Sequence, residues 1–203
     1  MRFSTLSLFA VCGLFANAFA VPTTVQRRGV TVSQVEERHV PKICTIVSGL
    51  LEEVKGCTHS INVTISTCQG IKITKTVKTS VIASIQGNCH KMVSSFSTAC
   101  FSIGDLEFVE LAEGDLRFLV SCCVEIILEI VCTLLHCIKV LGCTITELLG
   151  FLLPLLCNAF IALLSAIGCV VGNFISCIKA ALECYLSEII KCFGGFAELL
   201  EYL

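Results

Sequence analysis

The sequence predicts an all-α, disulfide-rich helical bundle, laid out as two packed helical units with very apolar C-terminal helices. Three observations carry this. Apolar residues make up 55% of the 203 and charged residues 15%, with a mean hydropathy of +0.90; ordinary soluble domains carry about a quarter charged residues. Cysteines recur at a helical interval: Cys57 and Cys68, Cys89 and Cys100, and Cys132 and Cys143 are each eleven apart, about three helical turns. In the C-terminal half, polar residues keep to narrow stripes at steps of three and four.

The chain opens with Met1-Arg2, an apolar core over residues 6–15 and the small-x-small triplet Ala18-Phe19-Ala20. That is the pattern of a secretory signal peptide (1–20) cut after Ala20. Arg27-Arg28 stands before Gly29, a dibasic pair of the kind trimmed by kexin-type proteases, so 21–28 reads as a propeptide. The layout resembles the leaders of many fungal secreted proteins, and it implies a secreted, extracellular or cell-surface destination.

Residues 29–104 form the first expected unit, rich in Ser, Thr, Val and Ile, with seven Lys/Arg against four Glu between Gly29 and Cys100. Its cysteines bracket a weak internal repeat, CTHSINVTISTCQGI against CHKMVSSFSTACFSI. Ile61 to Ile65 alternates as a strand would, yet Cys57, Ile61, Ile65 and Cys68 also fit helical spacing, as do Ile73, Val77, Val81 and Ile85. Helix is the reading adopted. Asn62-Val63-Thr64 is the one N-glycosylation sequon.

Residues 105–115 hold five acids and read as a connector. Beyond it, 116–203 is the hydrophobic, Cys-rich unit, and from Phe101 onward four Lys/Arg face twelve Asp/Glu. Between residues 118 and 141 the polar positions Glu125, Glu129, Thr133, His136 and Lys139 make one stripe, expected to be a solvated face. Ser176, Lys179, Glu183 and Ser187 do the same between residues 174 and 193. From Leu148 to Ile178 there is no charge for 31 positions, about 46 Å as one helix and more than a bilayer core of roughly 30 Å. Pro154, Asn158, Gly168, Gly172 and Asn173 interrupt the run, which favours two helices joined near Gly168 in a bundle over a membrane span. Gly168 and Gly172 match the GxxxG spacing of closely packed helices.

Cys12 leaves with the leader, and export makes disulfides the expectation for the rest. The candidates are Cys44, Cys57, Cys68, Cys89 and Cys100 in the first unit, the adjacent Cys122 and Cys123, then Cys132, Cys137, Cys143 and Cys157. Cys169, Cys177, Cys184 and Cys192 complete them. Their odd number leaves one sulfur over, and their connectivity cannot be read from spacing.

Chemistry is sparse. Glu125 and Glu129 lie one helical turn apart, as paired carboxylates would, but share the polar stripe. His136-Cys137 has metal-binding atoms without a Cys-x-x-Cys partner. The composition invites comparison with hydrophobins, whose pattern needs two adjacent-cysteine pairs, and with saposin-like lipid binders, whose terminal cysteine pairs are missing here; neither family is assigned. The expectation is therefore no enzyme, no cofactor, no metal and no nucleic-acid partner, since no basic stripe exists. The expected role is non-catalytic, structural or interacting, at the cell wall, the extracellular matrix or a lipid surface, with self-association open. The alternatives are a lipid- or sterol-binding carrier and a protein anchored in or permeabilising a membrane through 148–178.

Overall fold

The computed structural model describes residues 41–69 and 74–192, with side chains through residue 183. Ala20, the Arg27-Arg28 pair and the side chains of Cys184 and Cys192 lie outside the described residues. The described helices all belong to one compact unit, His39–Leu203. They are α1 (Lys42–Ser66), α2 (Lys75–Gly104), α3 (Glu113–Leu141), α4 (Ile145–Leu149), α5 (Leu152–Val170) and α6 (Phe174–Cys192). No strand occurs among the described residues, and the ambiguous stretch Ile61 to Ile65 lies within α1.

Each helix starts and stops for a local reason. Pro41 presets the entry to α1. The Thr74 hydroxyl accepts the Val77 N–H at the start of α2. Glu113 and Asp115, expected in the connector, instead form the first turn of α3, where carboxylates complement the positive end of the helix dipole. Gly142 ends α3 at φ 56°, a left-handed conformation that favours glycine. A reciprocal capping box starts α4: Glu147 N–H donates to Thr144 Oγ1 at 3.1 Å, and Thr144 N–H donates to Glu147 Oε2 at 2.9 Å. Pro154 falls in the first turn of α5, where its missing N–H would have had no helical acceptor anyway. The charge-free run thus divides into α4, α5 and α6, and Asn173 at φ 60° makes the α5–α6 turn.

The helices pair in parallel at a near-constant offset. Along α1 and α3, Cys44 meets Asp115, Lys55 meets Glu125, Thr58 meets Glu129 and Asn62 meets His136. Along α2, Lys78 meets Gly142, Gln86 meets Leu148, His90 meets Phe151 and Phe96 meets Phe160. The short link from α1 to α2 makes those two an antiparallel hairpin. Helix α6 packs against both α3 and α5, closing a ring of five long helices around one core.

At the centre, Phe96 meets Phe160 edge-on, with ring centroids 5.7 Å apart. These two rings, with Ile127, Ile130 and Leu156, line a cavity of about 10 Å³, room for one water at most and with no polar group to hold it.

The disulfide framework expected from the sequence is not found: no disulfide joins two described cysteines. The physical reason lies in helix packing. A bridge needs Cα atoms roughly 4.4–6.8 Å apart with the two Cβ atoms aimed at one another, a condition that both helices must meet at the same level. Periodic spacing puts a cysteine on one side of its own helix but does not set its level or aim against a cysteine of the neighbouring helix; Cys89 lies near Cys57 and Cys137, and Cys44 near Cys122 and Cys123, all as thiols. Cys44, Cys68, Cys89, Cys122, Cys123, Cys137 and Cys143 are buried as small apolar residues.

Gly168 and Gly172 act at the α5–α6 corner. A Cβ on Gly168 would stand 2.7 Å from the Ile175 side chain. Gly168→Ala is therefore expected to destabilise by about 1–2 kcal/mol through overpacking, read by urea unfolding. In an Ile175→Ala background the same change should turn neutral or stabilising, because the clash is gone and the helix preference for Ala over Gly of about 1 kcal/mol remains.

Candidate functional site

Two surfaces stand out: a polar seam between α1 and α3, and an aromatic end of the bundle.

The seam is built from the polar stripe of α3, and it corrects the expectation of a solvated face in part: Glu125 and Lys139 are exposed, but the stripe between them is covered. Thr133 is only 4% exposed, and Glu129 and His136 are half-buried, because α1 lays Lys55, Thr58 and Asn62 against them. Lys55 Nζ lies 2.9 Å from Glu125 Oε1 and 3.5 Å from Glu52 Oε1. The Glu125 hydrogen bond, ahead of the other carboxylate contacts, raises the Lys55 pKa. The Thr58 hydroxyl, 2% exposed, lies 3.2 Å from Glu129 Oε2 and 3.1 Å from the Lys55 carbonyl, and its single proton serves one acceptor at a time. His136 Nδ1 stands 3.2 Å from Asn62 Oδ1, and Nε2 stands 3.2 Å from Gln69 Nε2. One neutral tautomer satisfies both contacts, with Nδ1–H donating to Asn62 and Nε2 accepting from Gln69.

These contacts redefine the candidate residues. Glu125 and Glu129 are engaged separately by Lys55 and Thr58 and do not converge on a shared ligand position. No group of three His, Cys, Asp or Glu among the described residues is arranged to hold a metal ion. Asn62, the sequon residue, lies inside α1 with its amide turned to His136, surroundings that give glycosylation no support.

The thiols are poorly disposed to react. Burial pushes the Cys89 thiol up from 9.0 to about 12, with Cys137 and Cys57 adding to the effect. Burial first, then Glu125, takes Cys122 to about 11, and burial first, then Cys143, takes Cys137 to about 12. The thiolate is the nucleophile, so these sulfurs are kept in their unreactive form. Cys169 on α5 differs in being exposed.

The aromatic end was not singled out in the sequence. Phe101 is 79% exposed, Phe108 64% and Phe118 48%. They sit on the last turns of α2, on the link to α3 and on the second turn of α3, all at one end of the bundle. Composition could not separate them from Phe96, Phe160 and Phe174, which are buried; only the helical phase of Phe101 and Phe118, opposite the buried positions, carried a signal. Phe151 and Leu155 are exposed on the flank near α5. Helices α3 and α5 are both long and apolar enough to cross a membrane, and the most apolar window of α5 is only 33% buried inside the bundle.

No protein-family model, curated protein or solved structure matches this chain.

Two outcomes follow from the seam and the thiols. A double-mutant cycle of Thr58→Val and Glu129→Gln should give a coupling of about 1–2 kcal/mol, while Lys55→Ala should cost about 1 kcal/mol or less and shrink in high salt. Because burial raises the folded thiol pKa values above those of the unfolded chain, the thiol contribution to stability is complete below about pH 9. It is lost as pH rises toward the folded values of about 11 and 12. Thermal melts from pH 7 to 11 should therefore fall on the alkaline side, less steeply in Cys89→Ala; equal slopes would contradict the assignment.

Proposed function

We propose that this protein is a secreted, non-catalytic surface protein whose helical bundle presents apolar side chains to a lipid surface, the cell wall or the extracellular matrix. The observation that carries the reading is the exposure of Phe101, Phe108 and Phe118 at one end of the bundle. Exposed aromatic surface of this kind marks interaction sites in stable proteins. The signal-like residues 1–20 and the Arg27-Arg28 pair support export. A disulfide framework is not part of the proposal; buried thiols with raised pKa values are protected from oxidation by the scarcity of thiolate.

A second reading, insertion into a membrane, is favoured by one observation: α5 is strongly apolar and mostly unburied within the bundle. Carriage of a lipid in the central cavity is disfavoured, because about 10 Å³ is far below the several hundred Å³ of a ligand pocket.

Expression with the native leader, followed by alkaline-carbonate extraction and detergent phase partitioning of the product, separates these readings. The surface-protein proposal expects export and release by carbonate. Retention in the carbonate-resistant, detergent-rich fraction would establish insertion instead, and failure to be exported would remove the extracellular setting.

A further inference from the structure

We propose that the Phe101, Phe108 and Phe118 end is the docking face for a bilayer of zwitterionic choline lipids, met end-on; this rests on the surface-protein reading above and names its partner. Three consecutive segments bring the rings to the same end of the bundle. Phe101 lies three residues before the end of α2, about 5 Å along its axis, and Phe118 lies five residues into α3, about 8 Å along its axis. Phe108 occupies the link between those helices.

The link is anchored. Val109 N–H donates to the Val170 carbonyl at 2.8 Å, and Leu106 N–H donates to the Ile103 carbonyl at 2.9 Å. The Phe108 ring tip lies against Gly172, where an added Cβ would stand 3.4 Å away. Phe108 is thus held in place while most of its surface stays in water, which lowers the ordering cost of docking.

Charge selects the lipid. Asp105, Glu107, Glu110 and Glu113 are exposed in the stretch of chain that carries the rings, against the exposed cations Lys42, Arg117 and, five residues into α6, Lys179, and Arg117 is paired with Glu113. An acidic collar is repelled by the negative surface potential of anionic lipids. The outermost group of a phosphatidylcholine bilayer is a trimethylammonium, which carboxylates attract and aromatic faces accept through cation–π contact. A choline-rich bilayer therefore complements both features, with the rings entering the headgroup–acyl boundary as amphipathic surfaces do.

The test is flotation of the full secreted chain with phosphatidylcholine vesicles, and with vesicles in which a third of the lipid is phosphatidylserine. Wild type should float with phosphatidylcholine and bind the anionic vesicles several-fold more weakly. Combined Phe101→Ser, Phe108→Ser and Phe118→Ser should reduce flotation at least tenfold, while Phe151→Ser, an exposed ring on the flank, should leave it unchanged. The chain has no tryptophan, so Phe108→Trp gives a single reporter whose emission should shift blue and be quenched by brominated lipid. Stronger binding to anionic vesicles, undiminished flotation of the triple variant, or an unquenched Trp on bound protein would each overturn the docking face while leaving surface binding intact. Absence of wild-type flotation on either vesicle would remove the lipid surface itself. Loss of an oligomer in the triple variant without vesicle binding would assign the end to self-association.

Discussion

The parallel seating of α3 on α1 is the contact on which the rest of the bundle depends. Two long apolar helices can slide past one another by a turn at little cost when only side-chain volume resists. Here Lys55 with Glu125, Thr58 with Glu129 and Asn62 with His136 allow one register, because a slip would strand partly buried polar groups without partners. Among the described residues no buried side-chain polar atom lacks a hydrogen bond. With that register set, the hairpin brings α2 beside α1, and α2 in turn receives α5 through the Phe96–Phe160 contact.

The same seating engages the residues that the sequence singles out for chemistry. Two carboxylates a turn apart and a His beside a Cys are the raw materials of acid–base or metal sites, yet each is occupied by a neighbour on α1. The thiols are withdrawn by desolvation. The apolar surface left exposed comprises the phenylalanines at one end and part of α5. The proposed role in surface contact rests on that distribution, in which polar contacts inside the bundle set its register.

Helical identity was legible in the sequence wherever burial itself sets the period. The α6 start at Phe174 and the α3 end at Leu141 followed from apolar spacing, whereas the charge-free run, expected as two helices joined near Gly168, holds parts of three that meet at Gly150 and Asn173. The polar stripe of α3 was legible as a stripe but not as an interface. A line of Glu, Thr and His has the same pattern whether it faces water or Lys55, Thr58 and Asn62. Cysteine stripes likewise marked helix faces, and export suggested bridges, but opposition across helices cannot be inferred from intervals along one chain.

By itself, then, the sequence determined the all-helical class and the faces on which apolar residues line up, because these depend on residues within a turn or two of one another. Only the tertiary structure decided which helices run parallel, that the described cysteines are not bridged to one another, and which phenylalanines reach the core. Those outcomes turn on residues some 60–75 positions apart, and the energy that separates one pairing from another exists only once the helices have met.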